Sequence, residues 1–363
     1  MRLRHFEALR PLCPVCRPSG DSGFALEIAH VAREAGGHIV EAILHCSNPR
    51  CLREYPVIDG IPLLIGNLRQ YIADNALRLL ARQDLSPMME SVIGDCCGPG
   101  SDFDTVRQQV SAYAWEHYGD FDPDEVDREP RPGTMLAALA SGCELAAPSP
   151  AGPVLEVGCG TGRGSFALAE RLDELVLGVD LHLPMLRLAG RVLRDGTVSY
   201  ARRRVGLVYD RREFQVRFAR SDNVDFWACD ATALPFPPAT FSMAVALNVL
   251  DCIYAPRELL SSLAGVLVQG GKAVLSSPYD WSPGATPIES WLGGHSQRST
   301  SGGASEHVVR ELLTPGGSTE GVKGLRISAE RDDLPWNVRL HERSTMTYRL
   351  HQLVVERHGE ASA

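Results

Sequence analysis

The chain has 363 residues, 44% of them apolar and 22% charged, which suits a globular protein with one large core and room for a smaller module. Its net charge of −9 argues against a nucleic-acid partner, whose phosphates call for a basic footprint. No apolar run approaches the roughly 20 residues of a membrane span, the first residues lack a signal-peptide segment, and the ten cysteines are few and unevenly spaced, which suits a reducing, cytoplasmic setting.

From the amino terminus, Cys13-Pro14-Val15-Cys16 has the spacing of a metal knuckle, and Cys46 and Cys51 follow a strand-like run at 39–44. Four thiolates close a tetrahedral site with no open position, so the metal expected here is a structural zinc. It would staple a module too small to bury its own core. Four free cysteines in a metal-free fold are the alternative. Beyond them the chain reads Tyr55-Pro56, then Gly60-Ile61-Pro62 and Leu64. Over residues 8–66 this pattern resembles the small zinc-ribbon proteins that activate tRNA, rRNA and protein methyltransferases. Four residues separate Cys46 from Cys51 where two are usual in that family, which makes His45 a substitute ligand.

Residues 67–92 have helical periodicity, and Cys96-Cys97 sit among glycines as in a linker. Residues 103–120 predict a helix bearing Tyr113, Trp115 and Tyr118. Those rings either fill a helix–sheet interface or wall a cleft, where an aromatic face stabilises a cation.

An apolar run at 154–157 breaks into Gly158, Gly160, Gly162 and Gly164 and then into a helical pattern. A strand, a glycine turn and a helix let a ligand approach bare backbone. A dinucleotide loop needs Gly-x-Gly-x-x-Gly, and neither frame here supplies the last glycine. Downstream, a strand at 175–179 ends in Asp180, placed for a ribose diol, and Phe226–Cys229 ends in Asp230, placed for an adenine amine. A fourth strand runs to Asn248, a helix follows at about 256–268, and a fifth strand ends at Ser276. Residues 199–220 read as an inserted hairpin.

Glu156 with its glycines resembles the first motif of class I S-adenosylmethionine-dependent methyltransferases. The resemblance implies an α/β fold, a Rossmann-like seven-stranded core behind the small zinc-ribbon-like domain. The expected domains are 1–66 (ribbon), 67–133 (helical linker and cleft lid) and 134–363 (methyltransferase), with a final antiparallel pair at 325–330 and 345–356. It implies that S-adenosylmethionine is held by Glu156, Gly158, Cys159, Gly160, Gly162, Asp180, Leu181, Asp230, Ala231, Asn248 and Tyr118.

The acceptor end lies beyond the fourth and fifth strands, where open α/β sheets bind ligands. Asp251, Tyr279, Asp280, Trp281, Trp291 and His295 concentrate there. Aromatic rings among carboxylates suit a planar or cationic small molecule, while a loop covering the sheet edge is the alternative. Tyr279 and Asp251 are the expected catalytic residues, because strand ends fix them. Tyr113, Tyr279, Trp281 and Trp291 are the expected substrate contacts. Ser277-Pro278-Tyr279-Asp280-Trp281, Trp291-Leu292-Gly293-Gly294 and the run 333–343 resemble the methyltransferase domain of ovothiol biosynthesis, which N-methylates a thiohistidine imidazole. That resemblance implies a small acceptor of imidazole or amino-acid type. An RNA or protein methyltransferase gripping its substrate with the ribbon, and a binding protein without turnover, are the other readings.

Overall fold

The computed structural model describes residues 1–17, 23–127, 129–316 and 321–359. Helix α1 (Leu3–Leu9) precedes four short strands, β1 (Leu26–Ala35), β2 (His38–Cys46), β3 (Glu54–Ile58) and β4 (Ile61–Leu64). Four helices follow, α2 (Leu68–Leu80), α3 (Pro87–Cys97), α4 (Asp102–Tyr118) and α5 (Thr134–Ala146). The periodic stretch 67–92 is thus two helices. Ser86 caps Met89 N, and Pro87 at the first helical position starts α3 afresh after a break. Cys96 and Cys97 are the last turn of α3, not a linker.

The core alternates strand and helix: β5 (Val154–Val157), α6 (Arg163–Leu172), β6 (Val176–Asp180), α7 (Leu183–Asp195), a hairpin of β7 (Thr197–Val205) and β8 (Val208–Gln215), then β9 (Val224–Cys229), β10 (Phe241–Leu247), α8 (Pro256–Val266) and β11 (Leu267–Ser277). Helix α9 (Ser305–Leu312) and the long pair β12 (Leu325–His341) and β13 (Ser344–Arg357) end the chain. Strands β9, β6, β5, β10 and β11 run parallel, and β13 joins β11 antiparallel with β12 outside it. This is the expected seven-stranded core. Its central strands are buried along their length because helices cover both faces, which is why they read as unbroken apolar runs.

Two features exceed expectation. The terminal strands are longer than 325–330 and 345–356, so the run 333–343 lies mostly inside β12 and in the turn after it. The amino-terminal strands also merge with the core: β4 pairs in parallel with β9 through Leu63–Ala228 and Leu64–Cys229, making one sheet of eleven strands.

The inserted hairpin β7–β8 is a clamp. Its arginines pair with acids on neighbouring elements, Arg202 with Glu125, Arg211 with Glu90, and Arg212 with Asp122 and Asp124.

Candidate functional site

Where β5 ends, Gly160 (φ +53°) and Gly162 (φ +90°) hold the left-handed backbone that side chains resist. A Cβ on Gly162 would strike Phe226 and Ala189. One on Gly160 would sit 3.5 Å from the rings of Tyr113 and His117, so α4 lies across the loop as a wall. Other residues of the loop hold it from behind. The Tyr118 hydroxyl, fully buried, donates to Thr161 O (2.7 Å). Glu156 is buried under α6 and accepts from Ser165 Oγ, and burial pushes its carboxyl up to about 7. Cys159 is buried as well, so it offers backbone and not its thiol. His117 is buried beside Arg163, and both effects lower its imidazole to about 3, so it is neutral.

The acid stations stand at the strand ends. Asp180 accepts from Gly160 N (2.9 Å) and His182 N (2.8 Å), tying the second strand end to the glycine loop. Leu181 is partly exposed, and its carbonyl accepts from Tyr71 Oη (3.0 Å) of α2. Asp230 caps the short turn containing Ala231, accepting from Thr232 N (2.9 Å) and from Tyr254 Oη (3.1 Å). Asn248, at φ +57°, accepts from Ser276 Oγ (3.0 Å) and so links the ends of β10 and β11.

Across the cleft, Tyr279 sits just past β11 in the left-handed region, φ +56°. Its hydroxyl lies 2.7 Å from His351 Nδ1, and His351 Nε2 lies 2.7 Å from Glu330 Oε1. Arg310 of α9 pairs with Glu330 and holds its carboxyl below the usual range, while burial pushes the Tyr279 phenol up. Asp251 is buried beside this tyrosine. One of its oxygens accepts from Asp280 N (2.6 Å), but Oδ1 is out of water with no hydrogen-bond partner among the described residues. Burial raises its carboxyl pKa.

The expected substrate rings fall into two sets. Tyr279, Trp281 and Trp291 form a stack, with centroids 6.5 Å and 6.0 Å apart and planes within 27°. Both indole N–H groups are used, Trp281 on Ser305 Oγ and Trp291 on Thr286 O, and His295 flanks the outer ring at 6.4 Å. Trp281 and Tyr279 also pack on the core, so this loop covers the sheet. Tyr113 belongs to a different wall, 6.1 Å from Trp336, which stacks on Tyr348 at 5.5 Å. Tyr348 Oη donates to Asp280 (2.9 Å), joining that wall to the carboxylates. His351, Glu330, Arg310 and Tyr348 are residues that motif reading leaves without a role, and Trp336 is marked only as part of the run 333–343. Nothing in their local spacing marks the four, since Glu330, Tyr348 and His351 come together only when β12 and β13 pair, and Arg310 reaches them from α9.

A cavity of about 1050 Å³ opens elsewhere, beside Trp115, Asp122, Glu125 and Arg339, and includes neither the glycine loop nor Asp180.

The four cysteines of the amino-terminal module converge: all four sulfurs lie within 4.8 Å of one another. Cys13 and Cys51 Sγ are 3.9 Å apart, and Cys16 and Cys46 are 3.8 Å apart. Zinc–sulfur bonds of about 2.3 Å in a tetrahedron require sulfur separations of about 3.8 Å, so this donor set fits that ion. Tyr55 Oη lies 3.2 Å from Cys13 Sγ, while Asn48 donates to Cys46 Sγ (3.4 Å) and Cys16 Sγ (3.6 Å). Such outer contacts are those that orient metal ligands. The extra residues between Cys46 and Cys51 form a turn around Asn48 and leave the cluster closed. His45 is no substitute: strand alternation turns it to the opposite face, where it meets Glu27 at 3.1 Å.

Comparison with known proteins agrees with this geometry. Residues 155–275 match the family model described as a methyltransferase domain, so the core of this chain is such a domain. A phosphoethanolamine N-methyltransferase 1 of Triticum aestivum is 33% identical over 145 residues, covering 40% of this chain and 24% of that protein. This chain spans about a quarter of the length of the curated relatives it matches. Among solved structures, a Haemonchus contortus phosphoethanolamine N-methyltransferase 2 with S-adenosyl-L-methionine is 19% identical, with a TM-score of 0.33 over 45% of this chain and 32% of that one. The glycopeptide N-methyltransferase MtfA with the same compound is 17% identical, with a TM-score of 0.37 over 61% and 87% of the two chains.

Proposed function

We propose that this chain transfers a methyl group from S-adenosylmethionine to a nitrogen of a small metabolite, an amine or imidazole of amino-acid type. The observation that carries the reading is Asp251 Oδ1, a buried carboxylate oxygen close to the rings and carboxylates of the acceptor side. It has no hydrogen-bond partner among the described residues, although Asp280 N and the Ser277 side chain serve the same carboxyl. A buried charge of this kind is costly until a cation or donor meets it. The relatives named above methylate nitrogen, which agrees. The glycine loop and the carboxylates of Asp180 and Asp230 fit the donor. When bound, it supplies a methyl already activated by positive sulfur, so the protein need only align and dry the reacting atoms, an effect of up to about 7–11 kcal/mol.

The chain's own part is to place the acceptor and remove its proton. An amine enters as the ammonium, which Asp251 and Asp280 attract. Tyr279 Oη can take that proton only while passing its own to His351 Nδ1. The imidazolium so formed is held by ionised Glu330, whose charge Arg310 secures. A tyrosine here stands where a serine stands in a Ser-His-acid triad. A neutral imidazole acceptor needs no such step.

The basic runs 202–204 and 211–212 do not favour a nucleic-acid substrate, because their arginines are engaged within the protein. The ribbon is better read as a zinc-stapled extension of the sheet.

Calorimetry with S-adenosylmethionine, followed by release of its demethylated product with a panel of amines, imidazoles and total tRNA, tests this. Turnover with a small nitrogen compound is expected, and His351→Asn should shift its pH–rate profile if the acceptor is an amine. Binding of the donor with turnover only on RNA would overturn the acceptor class. No donor binding would overturn the whole reading.

A further inference from the structure

Away from the cleft, a cavity of about 520 Å³ lies between α2, α3, α4, α7 and the β7–β8 hairpin. That size is typical of a small-molecule site. Its lining is split in character. Leu77, Phe103, Val106, Val110 and Leu188 are apolar, while Arg78, Arg82, Arg107, Arg187, Arg191 and Arg211 face only Asp102 and Glu90 as acids of the lining.

Four of these arginines are committed: Arg78 to Asp102, Arg82 to Asp84, Arg187 to Asp59, and Arg211 to Glu90. Two are not. The Arg107 guanidinium lies 3.9 Å from the Tyr209 ring centroid and 5.2 Å from that of Phe103, yet its Nε and Nη1 are out of water without a hydrogen-bond acceptor. Arg191 makes no hydrogen bond or ion pair among the described residues. A guanidinium cannot shed its charge, so this imbalance persists at every physiological pH. At the same cavity Leu77 is 84% exposed, an apolar side chain with nothing over it.

We propose that this cavity binds a single anionic amphiphile, with a carboxylate or phosphate head on Arg107 and Arg191 and an aliphatic chain along Leu77, Val106, Val110 and Leu188. The head accepts from Arg191 and from Arg107 Nη2, the end of that guanidinium not shut away from water, and planar guanidinium forks suit either oxyanion. The chain covers apolar surface that water now meets. Such a ligand would bridge α2 and α3 to α7, the helix that follows Asp180. The site shares none of the acceptor-side residues, so it stands or falls independently of the methyl-transfer reading.

The test is calorimetric titration of the full chain with decanoate and with decyl phosphate, below their micelle concentrations, against decylammonium and decanol. At least one anion should bind with one-to-one stoichiometry, at least tenfold tighter than either control. Arg191→Gln and Arg107→Gln should each weaken it about tenfold or more while the melting temperature shows the fold intact. Co-sedimentation with phosphatidylglycerol vesicles assigns the source. Pelleting that Arg191→Gln abolishes marks a bilayer lipid, and anion binding without pelleting marks a free amphiphile. Neither anion binding, decylammonium binding as tightly as the anions, or wild-type affinity in both folded variants overturns the proposal.

Discussion

On the glycine-loop side of the cleft, the carboxylates are already answered by the protein. Asp180 holds two backbone amides and Asp230 is bonded by Thr232 and Tyr254. On the acceptor side a carboxylate oxygen, Asp251 Oδ1, is buried with no partner among the described residues, as is Trp336 Nε1. The buried unpartnered atoms of the loop side, Thr161 Oγ1 and Arg163 Nη1, are not carboxylates. The first side is therefore pre-built to one geometry, held by hydrogen bonds within a short stretch of chain. The second stores polar groups whose cost only an occupant can offset. It is also drawn from five remote segments, α4, the turn after β10 that carries Asp251, the loop after β11, and the two terminal strands. One side is shaped for a constant ligand, the other for whichever acceptor this chain has come to use.

The severest way to disturb this contrast is through the sulfur cluster, because β4 joins that module to β9 on the glycine-loop side. Cys13→Ser leaves three thiolates and removes the Tyr55 contact. We expect the protein to carry one zinc per chain by elemental analysis, and the variant to melt on the order of 10 °C lower, as several kcal/mol of metal-coupled folding would require. A strong chelator should act alike. A metal-free chain with unchanged melting would remove zinc from the account.

A paired substitution separates the two sides. Asp180→Ala should weaken S-adenosylmethionine binding about 10–100-fold, equivalent to about 1–3 kcal/mol. Asp251→Asn should leave that affinity within about twofold and lower kcat/KM for the acceptor by a similar 10–100-fold. Equal damage to both ligands by both variants would mean that the sides do not work separately.

The same contrast explains what could be read in the sequence. The glycine loop, Asp180 and Asp230 are visible because each is a strand end followed by its own turn, a relation confined to a few neighbouring residues. The four clustered cysteines are visible as spacing, although the inserted turn hid that Asn48 would bond to two of them and that His45 would face away. His351 and Glu330 left no trace. Their role depends on the register of β12 against β13 and of β13 against β11, where His351 pairs with Ser277. No local pattern encodes a register between strands so far from the loop they serve. The merging of β4 with β9 is hidden for the same reason: Ile61–Leu64 reads as a short apolar run, and only packing shows which edge it joins.

A last test concerns two buried carboxyls, Glu156 behind the glycine loop and Glu116 of α4, which accepts from Thr134 Oγ1 and Met135 N at the start of α5. Burial raises both Glu156 and Glu116 from an ordinary 4.5 to about 7. Each folded-state value lies above that of the unfolded chain, so between about pH 4.5 and 7 the folded protein binds more protons. Stability must fall as pH rises through that window and level off above it. At 1.36 kcal/mol per unit the ceiling is on the order of 3 kcal/mol for each group. Glu156→Gln keeps an acceptor for Ser165 Oγ and loses the titration. Its melting temperature should fall less between pH 5 and pH 8 than that of the unsubstituted protein, and Glu116→Gln should remove a further share. Unchanged slopes in both would mean that these carboxyls reach water, and that the glycine loop rests on a wetter support than the packing beneath α6 implies.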